Sequence, residues 1–218
     1  MSSLIFYTEE NQALVATDTL ATTFSGEPAF FTSKAFIIPH IKMIICGTGM
    51  AGFLGRWFIE VNDRMVIRGI ENLNSHSPVN LRKIWKNFIE DSPIPFKKTT
   101  TVYHFGFSED DSKMHTYVYR SERNFQSEIL SYGVGVKPEC TVPASPIFPI
   151  CIKKMMEEQR KRQESVPRNK RVYIGGEIQV IHLTREGFNV FNLDRFDDYS
   201  ETLNSIFYNY EKSNGQNT

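Results

Sequence analysis

Short apolar and aromatic runs alternate with polar turns at the start of the chain. SLIFYTE, ALVATD, AFFTSKAFII and IKMIIC are β-branched or aromatic stretches parted by EENQ and SGEP, which predicts successive hairpins and a mostly sheet-forming segment up to Gly47. From Gly49 the period lengthens to that of a helix. Leu54, Trp57, Phe58, Val61 and Met65 form one stripe, and Leu81, Ile84, Trp85 and Phe88 form a second after the start signal NSHSPVN. Strand patterns return in TTTVYHFGF, MHTYVYR and SEILSYGVGV around the acidic turn SEDDSK, and a helix is expected from about Ile147 to Arg162. RVYIGGEIQVIHLTREGFNVFNL then reads as two strands joined at TREG. The order predicts an α+β fold with two sheets between helical layers: one domain over residues 1–195, then an acidic, aromatic C-terminal tail over 196–218.

Composition adds bounds to this pattern. With 218 residues, 40% of them hydrophobic, the chain can bury a sizeable core. Lys+Arg 25 balance Asp+Glu 25, so no global field favours nucleic acid, acidic substrates or an anionic membrane. No apolar run approaches the roughly 18 residues of a membrane-spanning helix, and the first residues show no basic leader, so an unexported, cytoplasmic chain is expected. The three cysteines, Cys46, Cys140 and Cys151, form no CxxC pair and fit reduced thiols. The five histidines never fall three or four apart, so no helical zinc pair is predicted.

Two motifs compete for chemistry and fail on context. Gly47, Gly49 and Gly52 spell G-x-G-x-x-G with Glu71 downstream, but hairpins precede the motif and MVIRGIE is interrupted by Arg68 and Gly69. A tight strand-to-helix turn is the preferred reading. The basic run KKMMEEQRKRQESVPRNKR carries interleaved glutamates and no stacking aromatics, so it reads as a solvated helix end plus loop rather than a nucleic-acid site.

A third constellation is spaced along the hairpins. Asp18 lies 16 positions after Ser2 and Lys34 another 16 beyond, each a charge set into an apolar run, and Gly47 closes the next strand. With Ser2 at the start, ATDT around Asp18, SKAF around Lys34 and CGTG around Gly47, the chain resembles the N-terminal nucleophile hydrolases, in particular the proteasome β-subunit and its bacterial relative HslV. The likeness continues through the helix pair and YHFGFSEDDSKMHTYVY to IGGEIQVIHLTREG, covering about 190 residues.

The resemblance implies a four-layer αββα sandwich and a peptidase-type amide hydrolase without a cofactor. Ser2, freed by removal of Met1, would be nucleophile and supply its own α-amine as base; Lys34 and Asp18 would tune it, and Gly47 would donate to the oxyanion. Such chemistry suits these groups, because an α-amine has a pKa of about 7.7 to 8.0 and can take a hydroxyl proton near neutrality. Cys46, next to Gly47, would border the substrate pocket as in related folds, with a small buried hydrophobe as the preferred reading. The resemblance also implies a homo-oligomer. It leaves open a non-catalytic assembly subunit of a ring or viral particle. Several accessory positions depart from the pattern: Val134 falls where the family has a serine, and Arg171 and Ile174 fall where it has an aspartate and a second serine. Ser131 and Tyr132 are the nearby polar groups that would substitute.

Overall fold

The hairpin pattern folds into antiparallel ladders. A computed structural model describes residues 2–23, 25–91 and 99–214. Among them are twelve strands and four α-helices, a mixed α+β architecture. One five-stranded sheet contains β1 (Leu4–Glu9), β2 (Gln12–Asp18), β10 (Gly133–Lys137), β11 (Glu177–Thr184) and β12 (Phe188–Arg195), in the order β10-β1-β2-β11-β12. A second is ordered β5-β6-β7-β8-β9, from β5 (Ala35–Ile38), β6 (Met43–Thr48), β7 (Thr101–Phe107), β8 (Met114–Arg120) and β9 (Ser127–Ile129). A small hairpin, β3 (Leu20–Thr22) with β4 (Pro28–Phe31), stands beside them.

Three apolar cores follow from which face each side chain takes. Leu4, Phe6, Val15, Ile181 and Leu183 of the first sheet meet Ile44, Cys46, Phe105 and Val118 of the second, so the sheets pack face to face. The other face of the second sheet is covered by α1 (Ala51–Ile59) and α2 (Ile70–Glu90), which deliver Phe53, Trp57, Ile70, Leu73 and Leu81 against Ile45, Val102 and Tyr119. On the outer face of the first sheet, α3 (Ile152–Glu164) places Ile152, Met155 and Met156 against Ile5, Ala16 and Val180. Each fully buried side chain of this size contributes about 1.5–3 kcal/mol, so both sheets are pinned between apolar layers.

Five sequence expectations change on folding. The single run AFFTSKAFII divides into β4 and β5, which belong to different sheets, and the break at Thr32–Lys34 carries the lysine. SEILSYGVGV divides in the same way into β9 and β10. Helix α2 begins at Ile70 rather than after NSHSPVN and runs through Pro78, because Ile70, Leu73, Ser77 and Leu81 extend the inward stripe. Helix α3 begins at Ile152, later than Ile147, since Pro149 precedes it. The C-terminal segment is not an irregular tail: α4 (Tyr199–Asn214) turns Thr202, Leu203, Ile206 and Asn209 inward, packs on β4, and stacks Tyr199 on Phe31. No helix among the described residues is long and apolar enough to cross a membrane.

Candidate active site

Asp18 ends β2 with no exposure, at the edge where the first sheet meets the β3–β4 hairpin. Its carboxylate gathers three parts of the chain. Oδ1 accepts the Ser3 N–H at 2.9 Å and the Lys34 Nζ at 2.8 Å, and Oδ2 accepts the Gly175 N–H at 3.1 Å. Lys34, 5% exposed, also donates to the Leu20 carbonyl at 2.6 Å. Burial pulls the Lys34 ammonium below its ordinary pKa, and Asp18 opposes that shift by favouring the charged form. Two donors of the ammonium are thereby engaged, and the third has no acceptor among the described residues.

That cavity, of about 200 Å³, brings Ser2, Lys34 and Gly47 together, with Phe30, Phe36 and Leu54 on its apolar wall. The geometry follows from register. The last ladder pair of β5 and β6 joins Ala35 to Cys46, so the next residue of each strand, Lys34 and Gly47, lies at the open end of that pair. Gly47 has no room for a side chain: a Cβ there would stand 2.7 Å from the Thr101 carbonyl oxygen and 3.1 Å from Leu54. Two residues on, Gly49 adopts φ +107, and this left-handed turn carries β6 into α1. The glycine motif is thus a strand-to-helix turn, and β6 runs antiparallel to both neighbours. Glu71 is engaged elsewhere, with its carboxylate bonded to His115 at 2.6 Å and to Tyr117 at 2.5 Å.

The structure therefore assembles Ser2, Asp18, Lys34 and Gly47 at one place. Met1, whose removal the expected chemistry requires, lies outside the described residues. Cys46 is a buried hydrophobe rather than a pocket residue: it lies in the core between the sheets, does not line the cavity, and has its thiol pushed up by burial. Ser131 and Tyr132 do not stand in for the missing groups beside Ser2. Antiparallel pairing sets Leu4 opposite Lys137 and Thr8 opposite Gly133, so Val134, Ser131 and Tyr132 lie toward the end of β1 remote from Ser2. Ile174 is buried in the core under α3, and the Arg171 guanidinium donates to the Glu164 and Val166 carbonyls at the exit of α3.

What supports the start of β1 instead is Gln159. Fully buried on α3, it accepts a hydrogen bond from the Ser3 hydroxyl and donates to the Pro138 carbonyl. The sequence carried a signal for it: Gln159 continues the inward stripe of Ile152, Met155 and Met156, where a polar residue needs a partner. No family model matches the chain, and no curated protein matches it.

Proposed function

We propose that the chain is an amide hydrolase of the N-terminal nucleophile type, proteasome- or HslV-like, built on a four-layer αββα sandwich. The observation that carries this reading is Lys34: a lysine buried against Asp18 that lines the cavity shared by Ser2 and Gly47. Once Met1 is removed, the Ser2 hydroxyl attacks the substrate carbonyl carbon while the Ser2 α-amine takes its proton. The carbonyl oxygen gathers negative charge beside the Gly47 amide and the Lys34 ammonium. Collapse breaks the carbon–nitrogen bond, the α-ammonium returns its proton to the leaving amine, and water then hydrolyses the Ser2 ester.

Intact mass tests this directly. The chain should appear without Met1, and a β-lactone or epoxyketone should add one equivalent at Ser2, with the adduct absent in Lys34→Ala. Quantitative retention of Met1, or an adduct that survives Ser2→Ala, overturns the reading. The proposal includes a homo-oligomer formed through the helical layers in a cytoplasmic setting.

A second reading is a non-catalytic assembly subunit of a ring or viral particle. It is favoured by the places of Arg171 and Ile174, which contribute no carboxylate or hydroxyl beside Ser2. On that reading, Ser2→Ala and Lys34→Ala leave particle size unchanged in light scattering, and a monomer under all conditions rules it out.

A further inference from the structure

The basic run from Lys153 to Arg171 separates into two groups on folding. On α3, Lys153 pairs with Asp194, Arg160 with Asp198 and Arg162 with Glu158, while Lys154 and Lys161, which have no carboxylate partner among the described residues, do not line the cavities around Ser2. Arg171 is held by the backbone carbonyls at the end of α3. Arg168 and Lys170 differ. They sit exposed on the turn that leads toward Gly175, and among the described residues no carboxylate pairs with either.

Both line a larger cavity of about 410 Å³ that adjoins the first and shares Ser2, Lys34, Phe30, Gly49 and Met50 with it. No aspartate or glutamate is among its described lining residues. The β3–β4 hairpin lines the same cavity at Ala21–Thr23, and Gly26 of that hairpin packs against Tyr173, which ties the hairpin to the segment that follows the two cations. Ser2 thus stands between an apolar lobe and a basic one. Unpaired cations in a concave wall raise the local concentration of anions, and a guanidinium recognises a carboxylate through paired hydrogen bonds.

We propose, on the amide-hydrolase reading above, that the larger lobe binds a carboxylate-bearing residue flanking the reacting amide, with Arg168 and Lys170 as the cations that determine this specificity. A casein-derived peptide mixture, digested by the protein and read by mass spectrometry, tests it. Cuts by the wild type should be flanked by Asp or Glu several-fold more often than the mixture's composition predicts. The preference should vanish in Arg168→Ala/Lys170→Ala and turn toward Lys and Arg in Arg168→Glu/Lys170→Glu. A second arm needs no turnover: a fluorescein-labelled oligoglutamate peptide should bind the wild type in a salt-dependent way and bind the double alanine variant on the order of tenfold more weakly, with oligolysine as the control.

The two arms separate the hypotheses. A Ser2 adduct with cut sites indifferent to acidic residues overturns the acidic lobe and leaves the hydrolase standing. No adduct and no cuts, but oligoglutamate binding lost in the double variant, supports the lobe and removes the hydrolase. Equal oligoglutamate binding by wild type and double variant overturns the lobe whatever the activity.

Discussion

Asp18 holds the N–H of Ser3, the ammonium of Lys34 and the N–H of Gly175, three groups from distant parts of the chain, on one buried carboxylate. Removing one member of a buried ion pair leaves the other uncompensated, which costs about 3–5 kcal/mol. Lys34→Met and Asp18→Asn should therefore each lower the urea unfolding free energy by roughly that amount. The double variant should lose less than the sum of the two, because no lone charge remains buried. It should not recover fully, since the Ser3 and Gly175 amides lose a charged acceptor. Strict additivity in a double-mutant cycle would show that the pair is not coupled. These two residues were legible in the sequence because a charge in an apolar strand requires a partner, and each supplied the other. Gln159 was harder to read. Its partner Ser3 is 156 positions away, and only the packing of α3 on the first sheet joins them.

Helix α2 shows why elements were read less completely than residues. Its sequence offers a start signal at NSHSPVN, yet the helix begins at Ile70 with Pro78 inside it. The cap comes from another element: the Glu109 carboxylate, on the turn between β7 and β8, accepts the N–H groups of Glu71 at 3.0 Å and Asn72 at 2.7 Å. A carboxylate there satisfies orphan donors and opposes the positive end of the helix dipole. Glu109→Ala should lower stability by about 1 kcal/mol and speed hydrogen exchange at the Glu71 and Asn72 amides, while exchange near the last turn of α2 stays unchanged. Unchanged exchange at the first turn would show that the cap is dispensable. The split of AFFTSKAFII has the same origin. Local propensity favours one strand over the whole run, but β4 pairs with β3 and β5 with β6, and no periodicity within the run announces two partners. The glycine turn was legible for the opposite reason, since the backbone requirement at Gly49 is local.

At the scale of the whole molecule, the packing of α1 onto the second sheet closes over a histidine. His104 on β7 is fully buried and its Nε2 accepts the indole N–H of Trp57 at 2.9 Å, with the two rings parallel within 3°. The acceptor role assigns the imidazole proton to Nδ1, which has no hydrogen-bond partner among the described residues. Protonation would place a second N–H against the indole N–H and a charge in an apolar core, and burial accordingly lowers the His104 pKa from 6.5 to about 3. The unfolded chain, with an ordinary histidine, then binds a proton that the folded chain refuses. Stability is fully present above pH 6.5 and is lost progressively as the pH falls from there toward about 3. Over that window the loss from this one group is on the order of 4–5 kcal/mol, a large share of a domain's usual margin. Sequence reading could place His104 on a strand but not bury it, because TTTVYHFGF gives no sign that Trp57 reaches across from α1. Urea titrations at a series of pH values test the argument against acid effects from carboxylates elsewhere. The wild-type midpoint should fall steeply below pH 6.5, and in His104→Phe, which keeps an aromatic ring over Trp57 but cannot bind the proton, the slope between pH 6.5 and 4.5 should flatten toward zero. Parallel pH profiles for wild type and variant would mean that another group, not His104, links protons to this fold.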